Sequence, residues 1–399
     1  LTPAVTVVLP TYQRRDLVRR AVASVLAQTV DDFELIVVDD GSTDGTREAL
    51  RGVDSRLVYV RQENAGVSAA RNNALRLARG EIVAFLDSDN RWLPDHLETV
   101  TAALRRRPEA VLVTTTPSFV VAGRKPPAAA RLVEPLPRLF AWNWVGFVTG
   151  VAARRRALET AGGFDESFPV GEDGDLWLRM ALLGPFAMLR RRTVVIQATR
   201  GSLRERAREG GAYLAVLTTQ AERFVTEVER AGRAELVGPA RGAVHVARAI
   251  AALAEGNEDT ARLELASACL LLPDLSTDPE LVLGRLTTSV AGMGQAAVRA
   301  RLLGSAARSW PDRESRTAVT LQLYALAASI RAGRGGAARE LAGRLESRRA
   351  LAVAFTQLPA VVDGIRRRVD RRVNAGRESS DLGAGGDVAD DHGAGGHDR

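Results

Sequence analysis

The residues best suited to chemistry in this chain of 399 residues are carboxylates that close apolar runs. Residues 82–86, Ile-Val-Ala-Phe-Leu, have the pattern of a buried central strand and stop abruptly at Asp87, Ser88 and Asp89. Two carboxylates one residue apart at the mouth of such a strand are costly without a positive partner. A divalent cation with phosphate oxygens is the natural one, although the same residues also make an ordinary solvated turn. Residues 33–38, Phe-Glu-Leu-Ile-Val-Val, run into Asp39 and Asp40 in the same way. A third acidic group, Glu172, Asp173 and Asp175, opens a segment whose apolar residues Leu176, Trp177, Met180 and Leu183 recur at helical spacing. Carboxylates there either satisfy a helix dipole or take part in proton transfer.

The elements that must position these groups alternate. Strands are predicted over 4–9, 33–38, 57–60 and 82–86, with helices over 15–28, from a cap at Ser42 or Thr43 to about 50, and over 68–77. Strand–helix alternation with polar residues at the same strand ends predicts a mostly parallel, doubly wound sheet flanked by helices. Ligands of such sheets bind beyond the carboxyl ends of the strands, so Thr11, Tyr12, Asp39, Asp40, Asp87 and Asp89 should converge on one rim. Further strands are expected over 111–116 and 147–152, with a proline-rich loop over 124–137 between them. From about residue 203 the chain reads as all helical. Leu214, Leu217, Ala221, Phe224 and Val228 mark one apolar face, and further helices are expected near 240–254, 258–272, 280–291, 313–331 and 335–347. The domains expected are 1–204 (sheet), 205–375 (helical) and 376–399, a Gly-, Asp- and Ser-rich tail read as disordered.

Composition narrows the function. The net charge of +7 comes from arginines spread along the chain, without the aromatic interleaving that stacks bases, so no nucleic-acid partner is expected. The single cysteine, Cys269, cannot pair internally, which fits a reducing compartment. No apolar run reaches the ~18 residues of a membrane span and no signal peptide is read; the chain starts at Leu1, so an earlier segment stays open. Neither G-x-G-x-x-G nor G-x-x-x-x-G-K-[ST] follows the first strand, which argues against dinucleotide oxidoreductases and P-loop NTPases.

In order and spacing, PTYQRRDLVRRAVASVLAQT (10–29), ELIVVDDGSTDGT (34–46), ENAGVSAARNNALRLARG (63–80), FLDSD (85–89), GGFDE (162–166) and EDGDLWLR (172–179) resemble the successive motifs of family 2 glycosyltransferases, over roughly residues 4–205. The resemblance implies the GT-A fold, a Rossmann-like sheet, and inverting transfer of a sugar from a nucleotide-diphosphate sugar to a hydroxyl. It places Pro10, Thr11, Tyr12, Asp39 and Asp40 around the nucleoside, and Asn64, Gly66, Arg71, Asp87 and Ser88 along the nucleotide and diphosphate. Asp89, with Asp87, would hold Mg²⁺ or Mn²⁺. Asp173 would be the general base, and Gly163, Phe164, Glu172, Asp175 and Trp177 would shape or support the acceptor side. Taken without the resemblance, Arg71 reads as a helix-surface arginine, and the Asp39–Asp40 pair reads equally well as a helix-leading turn or as a binding pair.

Three departures from the family pattern stand out. Asn90 replaces a frequent third aspartate of the D-x-D element. Thr199 stands where relatives often carry a histidine, and His96, read as a surface residue, does not substitute for it. Q-x-x-R-W is absent, against a processive synthase. The sequence therefore points to a metal-dependent transferase of a UDP-sugar, building a polysaccharide, glycolipid or glycoprotein glycan in the cytoplasm. The basic stretch 366–372 leaves peripheral contact with the inner membrane face open, and the helical half leaves homo-oligomerisation open. The rival readings are an inactive nucleotide-binding relative whose helical half is an interaction module, and a sugar-nucleotide pyrophosphorylase.

Overall fold

The computed structural model describes residues 2–115, 131–133, 145, 148–189, 191, 193–197, 212–277, 296–312, 315, 317–318, 320–322 and 324–325. The β-branched runs and amphipathic segments of the first half form β1 (Val5–Thr11), α1 (Arg15–Leu26), β2 (Phe33–Asp39), α2 (Thr46–Leu50), β3 (Leu57–Arg61), α3 (Val67–Leu77) and β4 (Ile82–Phe85). They continue as β5 (Arg91–Trp92), α4 (His96–Arg106), β6 (Leu112–Thr114), β7 (Arg131–Val133), β8 (Val151–Arg154), α5 (Arg155–Thr160), α6 (Glu172–Ala181), β9 (Phe186–Met188) and β10 (Val194–Val195).

Eight strands form one sheet in the order β3-β2-β1-β4-β8-β6-β9-β7. β3, β2, β1 and β4 are mutually parallel. β8 runs against both β4 and β6, and β6 is parallel to β9. β7 runs against β9, so six strands share a direction and only β8 and β7 oppose it. The mostly parallel sheet is thus as expected. Side chains alternate between its faces. Val5, Val7 and Leu9 of β1 join Leu35 and Val37 of β2 in a core shared with α1 and α4. Val8, Ile36 and Val38 point the other way, into a core shared with α3 and α6.

Helices follow. α7 (Ala212–Arg230), α8 (Ala234–Glu255), α9 (Glu258–Leu271) and α10 (Ala296–Ser309) bear out a helical second half. Phe224 and Val228 of α7 belong to the same apolar cluster as Leu176, Trp177 and Met180 of α6, so the helical region is packed against the sheet layer. The helices expected near 280–291 and 335–347, the tail 376–399 and the basic stretch 366–372 lie outside the described residues, and 313–331 is described only in part.

Several local expectations are corrected. α2 starts after Gly45, in the left-handed region, with no side-chain cap; Ser42 and Thr43 are engaged elsewhere. Thr149 and Gly150 lie in a 3-10 turn (Val148–Gly150), and the strand follows at Val151, which pairs with Thr114 of β6; pairing with β4 begins one residue later, at Ala152. The stretch 124–137 contains β7. His96 is fully buried rather than on the surface. Its Nδ1 lies 2.8 Å from Thr193 Oγ1 and its ring stacks on Trp92, with centroids 4.2 Å apart. The short β5–β10 pair brings Trp92 and the segment at Thr193, distant in sequence, against its ring.

Burial pushes the His96 imidazole down from 6.5 to about 3. The unfolded chain takes up a proton near its ordinary value, which the folded chain refuses. Stability is therefore whole above pH 6.5 and is lost as pH falls toward 3, with a slope of up to about 1.4 kcal/mol per pH unit. Urea denaturation across this window should show His96→Leu with a flatter pH dependence than the wild type, whatever its absolute stability. Parallel pH profiles would contradict the buried neutral imidazole.

Candidate active site

The sheet itself opens the site. The chain moves outward from β1 to β2 and β3, then returns to β4 on the other side of β1, which puts a topological switch point between β1 and β4. Val8 accepts a hydrogen bond from Leu86 N (3.0 Å), whereas Thr11 accepts from Asp40 N (2.9 Å). By alternation Pro10 faces the β4 side, but the pairing with β4 has already ended at Val8–Phe85. A proline that donates no hydrogen bond therefore costs nothing here, and the crevice begins beside it.

The loops on the β1–β2 side are tied together by side chains. Gln13, with φ of 51°, donates from its N to Ser42 Oγ (2.9 Å) and from Nε2 to Thr43 Oγ1 (3.0 Å). Asp39 is fully buried and accepts from Ser42 N (2.7 Å) and the Tyr59 hydroxyl (2.5 Å). Burial and that hydrogen bond push the Tyr59 phenol up. Asp40 accepts from Gln62 Nε2, Ala65 N and Gly66 N, each at 2.8 Å. This carboxylate shapes the Asn64–Gly66 loop, and with about four acceptor positions it retains room for one outside donor. Thr11 is buried with its hydroxyl unpartnered, while Tyr12 is 47% exposed at the rim.

Arg71 is the hub. It sits on α3 and is 3% exposed, against the surface position that its helix alone suggests. Its Nη2 donates to Asp87 Oδ1 (2.9 Å) and its Nη1 to Glu172 Oε1 (2.6 Å). Its guanidinium also lies 5.1 Å from the centre of the Phe164 ring. Burial works against the charge, but the two carboxylates outweigh it and hold the guanidinium firmly protonated.

The D-x-D element is braced from the opposite side. Thr149 Oγ1 accepts from Asp87 N (3.1 Å) and Asn90 Nδ2 (3.0 Å), and donates to Asp87 Oδ2 (3.1 Å). Thr149 O accepts from Trp92 Nε1 (2.8 Å). Asn90 Oδ1 accepts from Gln197 N (3.0 Å), so the residue replacing a third aspartate anchors the 193–197 segment. Thr199 itself lies outside the described residues. Ser88 is buried. Asp89 accepts from Arg14 Nη1 at 2.7 Å; burial and then the Asp87 charge push its carboxyl up, against the pull of Arg14.

On the other wall, Gly163 and Phe164 meet α3. Asn72 Nδ2 donates to Phe164 O (2.8 Å), and Phe164 N donates to Asn72 Oδ1 (2.9 Å). At Gly163 φ is 71°, and a Cβ would stand 2.8 Å from Asn72 Oδ1, so both backbone and space require glycine. Asp173 is the second residue of α6 and only partly buried; its Oδ1 accepts from Gly174 N (2.7 Å). Asp175 is paired with Arg179 (2.6 Å), though burial leaves its carboxyl raised. Trp177 is fully buried, in edge-to-face contact with Phe85 and Phe164, so it supports the wall from beneath.

The donor set suits a hard divalent cation. Asp87 and Asp89 offer carboxylate oxygens, and burial, then the neighbouring Asp87 charge, push the Asp89 carboxyl up. Among the described residues no group of three or more His, Cys, Asp or Glu gathers, so these two carboxylates would be joined by diphosphate oxygens and water. Sequence reasoning passed over Arg14, Asn72 and Gln62. Arg14 and Asn72 lie within the motif segments 10–29 and 63–80, but their partners are distant in the chain.

Residues 6–161 match the family described as "Glycosyl transferase family 2". The chain is 40% identical over 99 residues to glycosyltransferase GlyA of Streptococcus pneumoniae serotype 4, covering 24% of this chain and 14% of that protein. It is 31% identical over 194 residues to chondroitin synthase of Escherichia coli, covering 46% of this chain and 27% of that one. The chain thus matches under a third of the length of either relative. The crystal structure of S. aureus TarS 1–349 aligns with 84% of this chain and 89% of its own, at 17% identity and a TM-score of 0.47.

Arg71→Met would leave Asp87 and Glu172 without their shared cation. Unfolding by urea should show a loss of about 3–5 kcal/mol, as for other broken buried ion pairs. A loss within error of zero would mean that the two carboxylates do not depend on Arg71.

Proposed function

Starting from residues 6–161 as a family 2 glycosyl transferase domain, we propose that the protein is an inverting glycosyltransferase that uses a nucleotide-diphosphate sugar, best read as a UDP-sugar. The observation that carries this reading is Arg71. One buried guanidinium joins Asp87, at the mouth of β4, to Glu172, the neighbour of Asp173. On this reading the proposed leaving-group site and base site would be held on one crevice.

The nucleoside would enter between the loops after β1 and β2. Tyr12 offers an exposed ring, and the remaining acceptor position of Asp40 suits an imide N–H of a base. Asn64 and Gly66 frame the way to the diphosphate. Asp89, with Asp87, would hold Mg²⁺ or Mn²⁺, which supplies Lewis-acid stabilisation of the leaving diphosphate when bound. Breaking the bond between the anomeric carbon and the β-phosphate oxygen leaves an oxocarbenium-like centre. The acceptor hydroxyl attacks from the opposite face, and its proton passes to Asp173 as the new bond forms. Glu172, tied to Arg71, and Asp175, tied to Arg179, are positioning groups.

A glycan, lipid-linked or protein hydroxyl is the acceptor class we propose, in polysaccharide or related glycan synthesis at the cytoplasmic face of the membrane. No helix among the described residues is long and apolar enough to cross a membrane. The test is release of nucleoside diphosphate from a panel of UDP-, GDP- and CDP-sugars with Mn²⁺. The wild type should turn over a UDP-sugar, and Asp173→Asn should be slower by roughly 10²–10⁴-fold with unchanged nucleotide affinity. A folded wild type inactive on the whole panel would contradict transfer and favour the nucleotide-binding alternative.

A further inference from the structure

We infer that α7, the first described helix of the second half, is a clamp that positions the loop leading into the base-bearing helix α6. This rests on the reading of Asp173 given above. Two contacts make the clamp. Gln220 Nε2 donates to the carbonyl of Gly171, two residues before Asp173. Arg223 pairs with Asp165 (2.6 Å), donates to Ser167 Oγ (3.2 Å) and lies 5.0 Å from the Phe168 ring centre. One face of one helix therefore grips both ends of the 165–171 loop that leads into α6.

The fit between the two is close. Gly171 has φ of 76°, and a Cβ there would stand 2.9 Å from Gln220 Nε2 and 3.2 Å from Val216 Cγ1. Between the two polar contacts, Phe168 and Val170 form a small apolar cluster with Val216. The Asp165 carboxyl is held below its ordinary value: burial pushes it up, but Ser167 and Arg223 outweigh that. The next turns of α7, at Phe224 and Val228, share the core with α6 itself. A helix that only braced the fold would need the core contacts; it would not need polar contacts to main chain and carboxylate in the loop before the base. Placement of a base within a fraction of an ångström governs rate far more than it governs donor affinity.

The test uses the full chain with Gln220→Met, close to glutamine in volume, and with Arg223→Met and Arg223→Lys. Turnover of the best UDP-sugar should fall roughly 10–100-fold in kcat for the two methionine variants, while UDP affinity by calorimetry stays within about twofold of the wild type, well inside a tenfold step. Arg223→Lys keeps the charge beside Asp165 and should recover part of the loss. Glu222→Gln, also on α7, breaks only an exposed pair with Arg248 of α8 and should leave kcat unchanged. Unchanged kcat in folded methionine variants, or loss of UDP affinity in step with kcat, overturns the clamp while leaving the transferase reading intact. A wild type that turns over no donor removes both. Hydrogen exchange in the wild type adds a check that needs no variant: rapid exchange across residues 168–175 beside a protected α7 would also overturn the clamp.

Discussion

A buried guanidinium must be neutralised where it lies, and at Arg71 that requirement fixes the geometry of the whole site. Its two partners come from opposite walls: Asp87 from the end of β4, Glu172 from the start of α6. Neither carboxylate can drift without stranding a charge in a nearly dry environment, a cost of several kcal/mol. The Phe164 ring beneath the guanidinium and Trp177 beside that ring extend the constraint into the core. The position of α3 on the sheet therefore sets the spacing between the two walls.

Around this hub, polar groups serve as loop braces, which leaves the crevice formed in advance of any ligand. Asp40 fixes the loop before α3, Gln13 joins the loops after β1 and β2, and Thr149 fixes both the backbone and the carboxylate of Asp87. Such preorganisation costs nothing further when charge develops. Asp89 differs. It is half-buried, crowded by Asp87, and answered by Arg14 from the first loop. Burial and the Asp87 charge work against its ionised form, and it is there that we propose the metal.

Much of this was legible in the sequence, and for physical reasons. Runs such as 33–38 and 82–86 that end in carboxylates announce buried strands with a polar rim, because few other environments tolerate that pattern. Their alternation with amphipathic helices fixed the sheet type. What could not be read were contacts between distant residues. Arg71 looks like any helix arginine until Glu172, 101 residues away, is placed beside it. His96 carries no sign of burial within its own helix; Thr193, 97 residues on, provides it. Helices α7, α8 and α9 were legible from their three- and four-residue spacing, whereas α10 (Ala296–Ser309) fell between the expected helices. The grip of Arg223 on a loop 56 residues earlier was not legible, since nothing in a helical period names its target.

The most direct measurement of the account is calorimetric titration of the purified protein with UDP, GDP and CDP, with and without Mn²⁺, in the wild type and in Asp89→Asn. UDP should bind, Mn²⁺ should tighten it, and Asp89→Asn should abolish the metal-dependent part while the fold persists. Absence of binding by all three nucleotides in folded protein, or an Mn²⁺ effect untouched by Asp89→Asn, would contradict it.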